Sequence, residues 1–290
     1  MKGEAATVAS LIDDASARIA AKLGLDKREA RLEARVLAAH AWRVDRAWLI
    51  AHDTDRPGAV QISTLDILLT RRLTGEPVAY LTGSREFYGR PFQVTPNVLI
   101  PRPETELLVE AALERLPKDR PARILDLGAG SGCIAITLGL ERPDCMIWAV
   151  DKSEDALAVA RINAQKLGAS QIQFVHSDWF DALKDQRFNL ILANPPYICA
   201  DDPLNMNDPR FEPTSALIAG GSGLDDLSTI ITTAPPHLEP GGWLIVEHGW
   251  NQRESCQSMF HRAGYAEVQT LNDLANLARI TLGQRCGRKG

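Results

Sequence analysis

No stretch of the sequence reaches the ~18 consecutive apolar residues that a membrane-spanning helix needs, and Met1-Lys2-Gly3-Glu4 lacks the charged-then-apolar layout of a signal peptide. No membrane partner is therefore expected, and the expected compartment is cytoplasmic. Cysteine is sparse: Cys133, Cys145, Cys199, Cys256 and Cys286 are scattered, odd in number and never arranged as C-x-x-C. Such a set reads as reduced thiols rather than a disulfide framework. The six histidines form no H-E-x-x-H pair and none stands at zinc-ligand spacing from a cysteine, so no metal is expected. Positive charge is also short. The 32 Lys and Arg face 37 Asp and Glu, for a net charge of -5, which argues against a chain built mainly to hold phosphates, and no direct nucleic-acid partner is expected.

What remains is an ordinary globular composition, 45% apolar and 24% charged over 290 residues, long enough for one large domain and a smaller one. Over residues 1–75 apolar side chains recur at helical spacing: Val8, Leu11, Ile12, Ala15 and Ile19, then Leu32, Val36 and Leu37, then Ile62, Leu65, Leu68 and Leu69. This predicts a small helical bundle. Gly24 is placed to stop the first helix, and Asp26 with Glu29 fits a capping box for the second. Residues 76–103 turn to Gly, Pro and β-formers and read as a linker with a short hairpin. Over 104–290 helical and strand patterns alternate. Strands are expected at 123–127, 146–151, 172–176, 190–193 and 243–247, with helices from about 104 and at 133–140, 153–167, 226–234 and 252–263. Repeated βα units imply an α/β fold with a parallel sheet covered on both faces, closed by a hairpin at 268–270 and 278–282.

Four segments at strand ends carry chemistry. Asp126-Leu127-Gly128-Ala129-Gly130-Ser131-Gly132 runs from an apolar strand through glycines into a helix, so backbone can pass close to a ligand and a helix N-terminus offers N–H groups. A tight turn with no ligand would look similar, and Asp151 adds the discriminating feature. It ends the next strand, where a carboxylate can accept both hydroxyls of a ribose. The dinucleotide pattern G-x-G-x-x-G would need glycine at position 133, which is Cys133. After the third strand, Asp178 could accept from an adenine amino group while Trp179 packs on the ring; a helix cap and a core Trp is the plainer alternative. The fourth segment is Asn194-Pro195-Pro196-Tyr197. Two prolines fix φ and remove two donors, leaving carbonyls to point at a ligand. Asn194 and the Pro195 carbonyl supply acceptors and Tyr197 a flat surface, a set suited to hold an NH2 group.

G-x-G-x-G followed by N-P-P-Y resembles the methyltransferases that act on exocyclic or amide nitrogens. Gly83-Ser84-Arg85-Glu86-Phe87-Tyr88-Gly89, Val98-Leu99-Ile100-Pro101-Arg102-Pro103-Glu104-Thr105-Glu106 and Arg210-Phe211-Glu212-Pro213 narrow this. Over nearly its whole length the chain resembles the release-factor glutamine methyltransferases, the PrmC/HemK family. The resemblance implies a Rossmann-like class I methyltransferase sheet with a small helical N-terminal domain, and S-adenosyl-L-methionine as cofactor. It implies glutamine methylation in the Gly-Gly-Gln tip of class-one peptide chain release factors, with the bundle over 1–75 docking that partner. By position, it puts the methionine portion against Gly128, Ala129, Gly130, Ser131 and Gly132, the ribose on Asp151, and the adenine beside Asp178 and Trp179. Asn194, Pro195, Pro196 and Tyr197 would grip the glutamine, with Asn194 and Pro195 catalytic and Asn194 also reaching the cofactor. Arg102 and Glu104 look like a wall over the site. At Asn276-Leu277-Ala278-Arg279 the family commonly carries an acidic residue before the arginine, which puts a pairing role for Arg279 in question.

Three features take the plainer reading: Gly220, Gly221 and Gly223 shape a loop, Glu247-His248 is structural, and Arg71-Arg72 is a solvated helix face. Two other functions compete. One is methylation of an adenine or guanine amino group on a flipped base, which the acidic balance disfavours. The other is a non-enzymatic adapter, which retention of the cofactor and amide-gripping residues disfavours.

Overall fold

The computed structural model describes residues 6–200 and 211–287. Arg210, from one of the motifs above, and the opening Met1 to Glu4 lie outside the described residues. The chain divides into two compact units, Met1–Ser84 and Arg85–Gly290.

The first unit is helical. Helix α1 (Val8–Leu23) is capped by Thr7, whose hydroxyl accepts from the Ser10 N–H while the Thr7 N–H donates to the Ser10 hydroxyl. It stops at Gly24, which takes the left-handed conformation that glycine allows. Helix α2 (Lys27–Trp42) starts on the Asp26 carboxylate, which accepts from the Arg28 and Glu29 N–H groups. Helices α3 (Arg46–Ala51), α4 (Ala59–Leu73) and α5 (Val78–Thr82) complete the bundle. Its core joins Val8, Ile12, Ala15 and Ile19 to the small stripe Ala30, Ala34 and Ala38 and to Leu65, Leu68 and Leu69. Alanines on α2 let backbones approach closely.

Two details differ from the sequence reading. Helix α5 lies in the stretch read as linker, because Pro77 opens a short helix whose Tyr80 and Leu81 are buried. Of Arg71-Arg72, Arg71 is exposed as expected, paired with Glu76, but Arg72 is not a solvated residue: its Nε and Nη2 donate to both Glu33 oxygens at 2.8 and 3.0 Å.

The second unit opens with a hairpin, β1 (Ser84–Phe87) and β2 (Arg90–Gln93). Tyr88 and Gly89 between them both have positive φ, 51° and 72°, the two-residue turn whose twist matches that of the strands. Tyr88 N–H donates to Glu106, and the buried Asn163 bonds both backbone groups of Gln93, so the hairpin is fixed to the helices behind it. There follow α6 (Glu106–Arg115), β3 (Arg123–Leu127), α7 (Cys133–Glu141), β4 (Met146–Asp151), α8 (Glu154–Leu167), β5 (Gln173–His176) and β6 (Phe188–Ala193). Then come α9 (Asp225–Thr233), β7 (Leu238–Glu247), α10 (Arg253–Arg262), β8 (Tyr265–Asn272) and β9 (Ala278–Arg285).

The seven strands lie in the order β5-β4-β3-β6-β7-β9-β8, parallel except for β9. Alternate residues feed two cores. Ile124, Leu190, Leu192 and Ile245 face α6, α7 and α8, while Leu125, Leu127, Ile191 and Val246 face α9 and α10. Helix α7 is buried from Cys133 to Gly139, which is why its sequence is apolar all round. The chain reverses its direction of travel across the sheet between β3 and β6. Open α/β sheets collect ligands at that crevice.

Glycine 132 has φ +80°, and a Cβ there would sit 2.8 Å from Ile136 Cδ1 and 3.1 Å from Ala160 Cβ; at Gly130 nothing lies within 4 Å. Gly132 therefore serves the packing of α7 on α8, and Gly130 the open side. Gly132→Ala is expected to cost about 2 kcal/mol or more, through the left-handed backbone and the overpacking. Gly130→Ala should cost only the backbone part. Denaturant midpoints of the two variants check this, and equal losses would refute the division.

Candidate functional site

Four strand-to-helix connections meet at the C-terminal edge of β3, β4, β5 and β6 around a cleft of about 260 Å3. Gly128, Ala129, Gly130, Ser131, Asp151, Asp178, Trp179, Asn194 and Pro196 line it. Of the residues expected at the site, Gly132, Pro195, Tyr197 and Glu104 are not among those that line it.

The loop after β3 spends its donors on the protein itself. The N–H groups of Gly128 and Ala129 both donate to the Val150 carbonyl at 2.9 and 2.8 Å, that of Gly130 to Asp151 Oδ2 at 2.9 Å, and that of Gly132 to the Ala129 carbonyl at 2.7 Å. The expected row of free N–H groups is thus largely used. A pyrophosphate would need those donors; a ligand without phosphates does not. Positive φ at 128, 130 and 132 permits this inward curl.

Asp151 is shared. Its Oδ2 takes the Gly130 N–H and its Oδ1 the Ser153 N–H, which leaves each oxygen of this cleft-lining carboxylate a further lone pair. Asp178 is exposed at the rim. Trp179 holds a left-handed φ of 43°, with the Ser177 hydroxyl donating to its carbonyl, and its ring edge lies 3.6 Å from where a Cβ at Gly128 would stand. An indole and a glycine here depend on each other.

Asn194 directly follows β6 and Glu247 ends β7, and because Ala193 pairs with Val246 the two residues come next in register. Its Nδ2 donates to the Thr105 hydroxyl at 3.2 Å, and Thr105 also lines the cleft. The Tyr197 hydroxyl donates to Glu247 Oε1 at 3.4 Å, and its carbonyl accepts from Gln252 Nε2 at 2.9 Å. Gly223 fits behind because a Cβ there would meet the Tyr197 carbonyl at 2.6 Å, so this glycine does more than shape a loop. The mouth is walled by Arg102, whose Nη2 donates to Glu212 Oε1 at 2.7 Å; Glu212 Oε2 accepts the Ile100 N–H at 3.1 Å. Arg279, despite Ala278, finds its carboxylate in Asp273 at 2.9 Å.

Three partners of the candidate residues escaped the sequence reading: Thr105, Glu212 and Glu247. The first two sat inside segments already singled out, but nothing in their spacing names their partners. Glu247 followed an apolar strand and looked structural.

Two buried carboxyls flank the cleft. Asp126 sits on β3 with Oδ2 accepting from the Ala135 N–H at 3.1 Å and Oδ1 without a partner; burial, with nearby Asp151 adding to it, pushes its pKa up to about 7. Burial likewise raises Glu247 to about 7, against the pull of Thr105, Tyr197 and Arg279. The Cys133 thiol, at the cleft wall, is pushed up to about 12 by burial. Among the described residues no group of His, Cys, Asp and Glu could hold a metal ion, and no helix is long and apolar enough to cross a membrane.

Comparison with known proteins adds two matching family models, the PrmC N-terminal domain over residues 11–83 and the Methyltransferase small domain over residues 104–205. The Release factor glutamine methyltransferase of Escherichia coli is 48% identical over 255 residues, covering 88% of this chain and 92% of its own. That of Bordetella pertussis is also 48% identical, over 87% of this chain and 94% of its own. Among solved structures, a 16S rRNA methyltransferase of Thermus thermophilus, in complex with AdoMet and guanosine, superposes with a TM-score of 0.53. At 23% identity, over 70% of this chain and 49% of that one, it speaks for the fold alone.

Asp126 gives a pH test of the site's electrostatics. Its carboxyl holds a proton in the folded chain up to about pH 7 but releases it near pH 4 when unfolded. The unfolded state therefore binds fewer protons between those limits, and stability falls as pH rises through them. Relative to wild type, Asp126→Asn should gain on the order of 2 kcal/mol between pH 5 and pH 8. Urea denaturation at both pH values measures it, and a constant gap would mean that Asp126 is ionised throughout.

Proposed function

This chain belongs to the release factor glutamine methyltransferase family, and we propose that it carries the methyl group of S-adenosyl-L-methionine to a glutamine side-chain nitrogen. The glutamine is the one in the Gly-Gly-Gln tip of a class-one peptide chain release factor. The observation that carries this reading is Asn194, an amide acceptor held at the end of β6 beside the crevice that Asp151 closes on its far side.

The cleft fits the cofactor. With its loop N–H groups already paired, it favours a nucleoside without phosphates, and open space at Gly130 leaves backbone for the ligand to lie on. Gly128 to Ser131 would take the methionine portion, Gly132 shaping the turn beneath. The two remaining lone pairs of Asp151 would take the ribose hydroxyls, and Asp178 and Trp179 the adenine. When bound, S-adenosyl-L-methionine supplies an electrophilic methyl on a positively charged sulfur.

The nucleophile is the difficult partner, because an amide nitrogen shares its lone pair with the carbonyl. Asn194 Oδ1 and the Pro195 carbonyl accept its two hydrogens, turning the lone pair toward the methyl and stabilising the positive charge that grows on nitrogen; once nitrogen is methylated one of those hydrogens would leave to water as a proton, with the cofactor departing as its neutral thioether. Pro196 and Tyr197 complete the grip. The helical unit, which carries no chemistry-bearing motif, docks the release factor, and the reaction belongs in the cytoplasm where that partner works.

Asn194→Ala should slow single-turnover methyl transfer by about 10²- to 10³-fold with cofactor binding preserved. Stopped reactions followed by peptide mass spectrometry check it; a near-normal rate refutes the amide grip. Asp151→Ala should weaken cofactor binding by about 1.5 to 3 kcal/mol in calorimetry, while an unchanged dissociation constant places the ribose elsewhere. Substrate identity is tested by offering a release factor, its Gln→Ala tip variant, duplex DNA and ribosomal RNA. Only the first should be labelled. Equal labelling of the tip variant, or preference for nucleic acid, transfers the function to another amino group.

A further inference from the structure

We propose that Thr105 and Glu247 are positioning residues that fix which way round the Asn194 side-chain amide sits, so that its oxygen and not its NH2 meets the substrate. The inference rests on the reading of Asn194 as an acceptor of the glutamine amide.

An asparagine amide has nearly the same shape when turned by 180°, but its chemistry inverts. The substrate NH2 offers only donors. A turned Asn194 would set donors against donors, so the site needs a polar partner that admits one orientation.

Thr105 is that partner. It is 2% exposed, and its oxygen accepts the Asn194 Nδ2 hydrogen at 3.2 Å. A hydroxyl carries one hydrogen of its own, and here it faces the Glu247 carboxyl, which it helps to keep charged. In the proposed arrangement donation runs one way, from Asn194 to Thr105 and on toward Glu247. With its hydrogen committed, Thr105 can only accept from Asn194, and the Asn194 oxygen is left for the substrate.

Glu247 is placed for this by the sheet, one strand over from Asn194. Among the described residues, Tyr197 from the segment after β6 donates to Oε1, Arg279 on β9 and Glu104 beside Thr105 act through their charge, and Oε2 has no partner. The Cys133 thiol on α7 feels the same carboxylate. Arg279 is already paired with Asp273, so it does not neutralise Glu247 alone. A protonated Glu247 could donate to Thr105 and reverse the chain, freeing Asn194 to turn. Methyl transfer should therefore fall on acidification through the range where Glu247 takes up its proton, near pH 7.

The test is single-turnover methylation of a release factor by full-length wild type, Thr105→Val, Thr105→Ser, Glu247→Gln, Asn194→Ala and the double variant Asn194→Ala/Thr105→Val, with thermal melting and cofactor binding measured alongside. Thr105→Val should lose on the order of 10²-fold in rate with cofactor affinity unchanged. Thr105→Ser, which keeps the hydroxyl, should stay within about threefold of wild type. In the Asn194→Ala background Thr105→Val should cost nothing further, as a residue acting only through Asn194 must. The acidic limb of the rate profile should vanish in Glu247→Gln, a readout that stands even if Thr105→Val fails to fold. A Thr105→Val rate within about threefold of wild type, an equal Thr105→Val loss with and without Asn194, or an acidic limb that persists in Glu247→Gln overturns the proposal while leaving the amide grip intact. A near-normal rate for Asn194→Ala overturns the grip itself, and the positioning with it.

Discussion

The parallel pairing of β3 with β6 decides where everything else in the catalytic unit can stand. Leu127 pairs with Ala193, so the glycine loop and the N-P-P-Y segment leave the sheet side by side. Because the chain runs outward through β4 and β5 on one side and through β7 on the other, the following helices diverge and a crevice opens between them. No single residue makes this cleft. It is the geometric result of reversing direction in a right-handed α/β sheet, and the side chains at the strand ends inherit their positions from it.

Within that crevice the backbone is unusually self-sufficient. Val150 takes two N–H groups of the glycine loop and Asp151 a third, which stiffens the loop against the neighbouring strand end. A loop with its donors occupied costs nothing to desolvate when a ligand arrives, whereas unpaired donors would need the ligand to satisfy them. Asp126 and Glu247 show the opposite economy. Each keeps one carboxyl oxygen without a partner in a buried place, a cost that folding alone does not justify. Both stand where the sheet meets the cleft.

The fold was largely legible. Strands β3 and β4 fall where the apolar runs place them, because a central parallel strand is covered on both faces and its sequence is mostly apolar rather than alternating. Strand β7 begins earlier than expected: Pro240, Gly241 and Gly242 look like a turn, yet Leu238 pairs with Phe188 and the ladder resumes at Trp243 after a register shift. Helix α5 was hidden for a similar reason, since Gly75 and Pro77 read as linker although they only frame a short helix. Strand-end residues such as Asp151 and Asn194 could be found from sequence because position relative to a strand is local. The partners of Asn194, Arg102 and Arg279 could not. Thr105, Glu212 and Asp273 meet them through side-chain geometry, across 89 and 110 positions in the first two cases. Short patterns carry no such information, and a buried carboxylate ending an apolar strand looks the same whether it braces a fold or a site.

Cys133 gives the site an unadvertised safety. Its thiol forms part of the wall of the cleft in which an alkylating cofactor is proposed to lie, and thiolates are among the best nucleophiles a protein owns. Burial, by pushing the thiol up to about 12, keeps it protonated and so a weak nucleophile at neutral pH. The same burial that makes residue 133 good packing for α7 thus leaves that part of the cleft wall without a ready nucleophile, even with the Ser131 hydroxyl beside the sulfur.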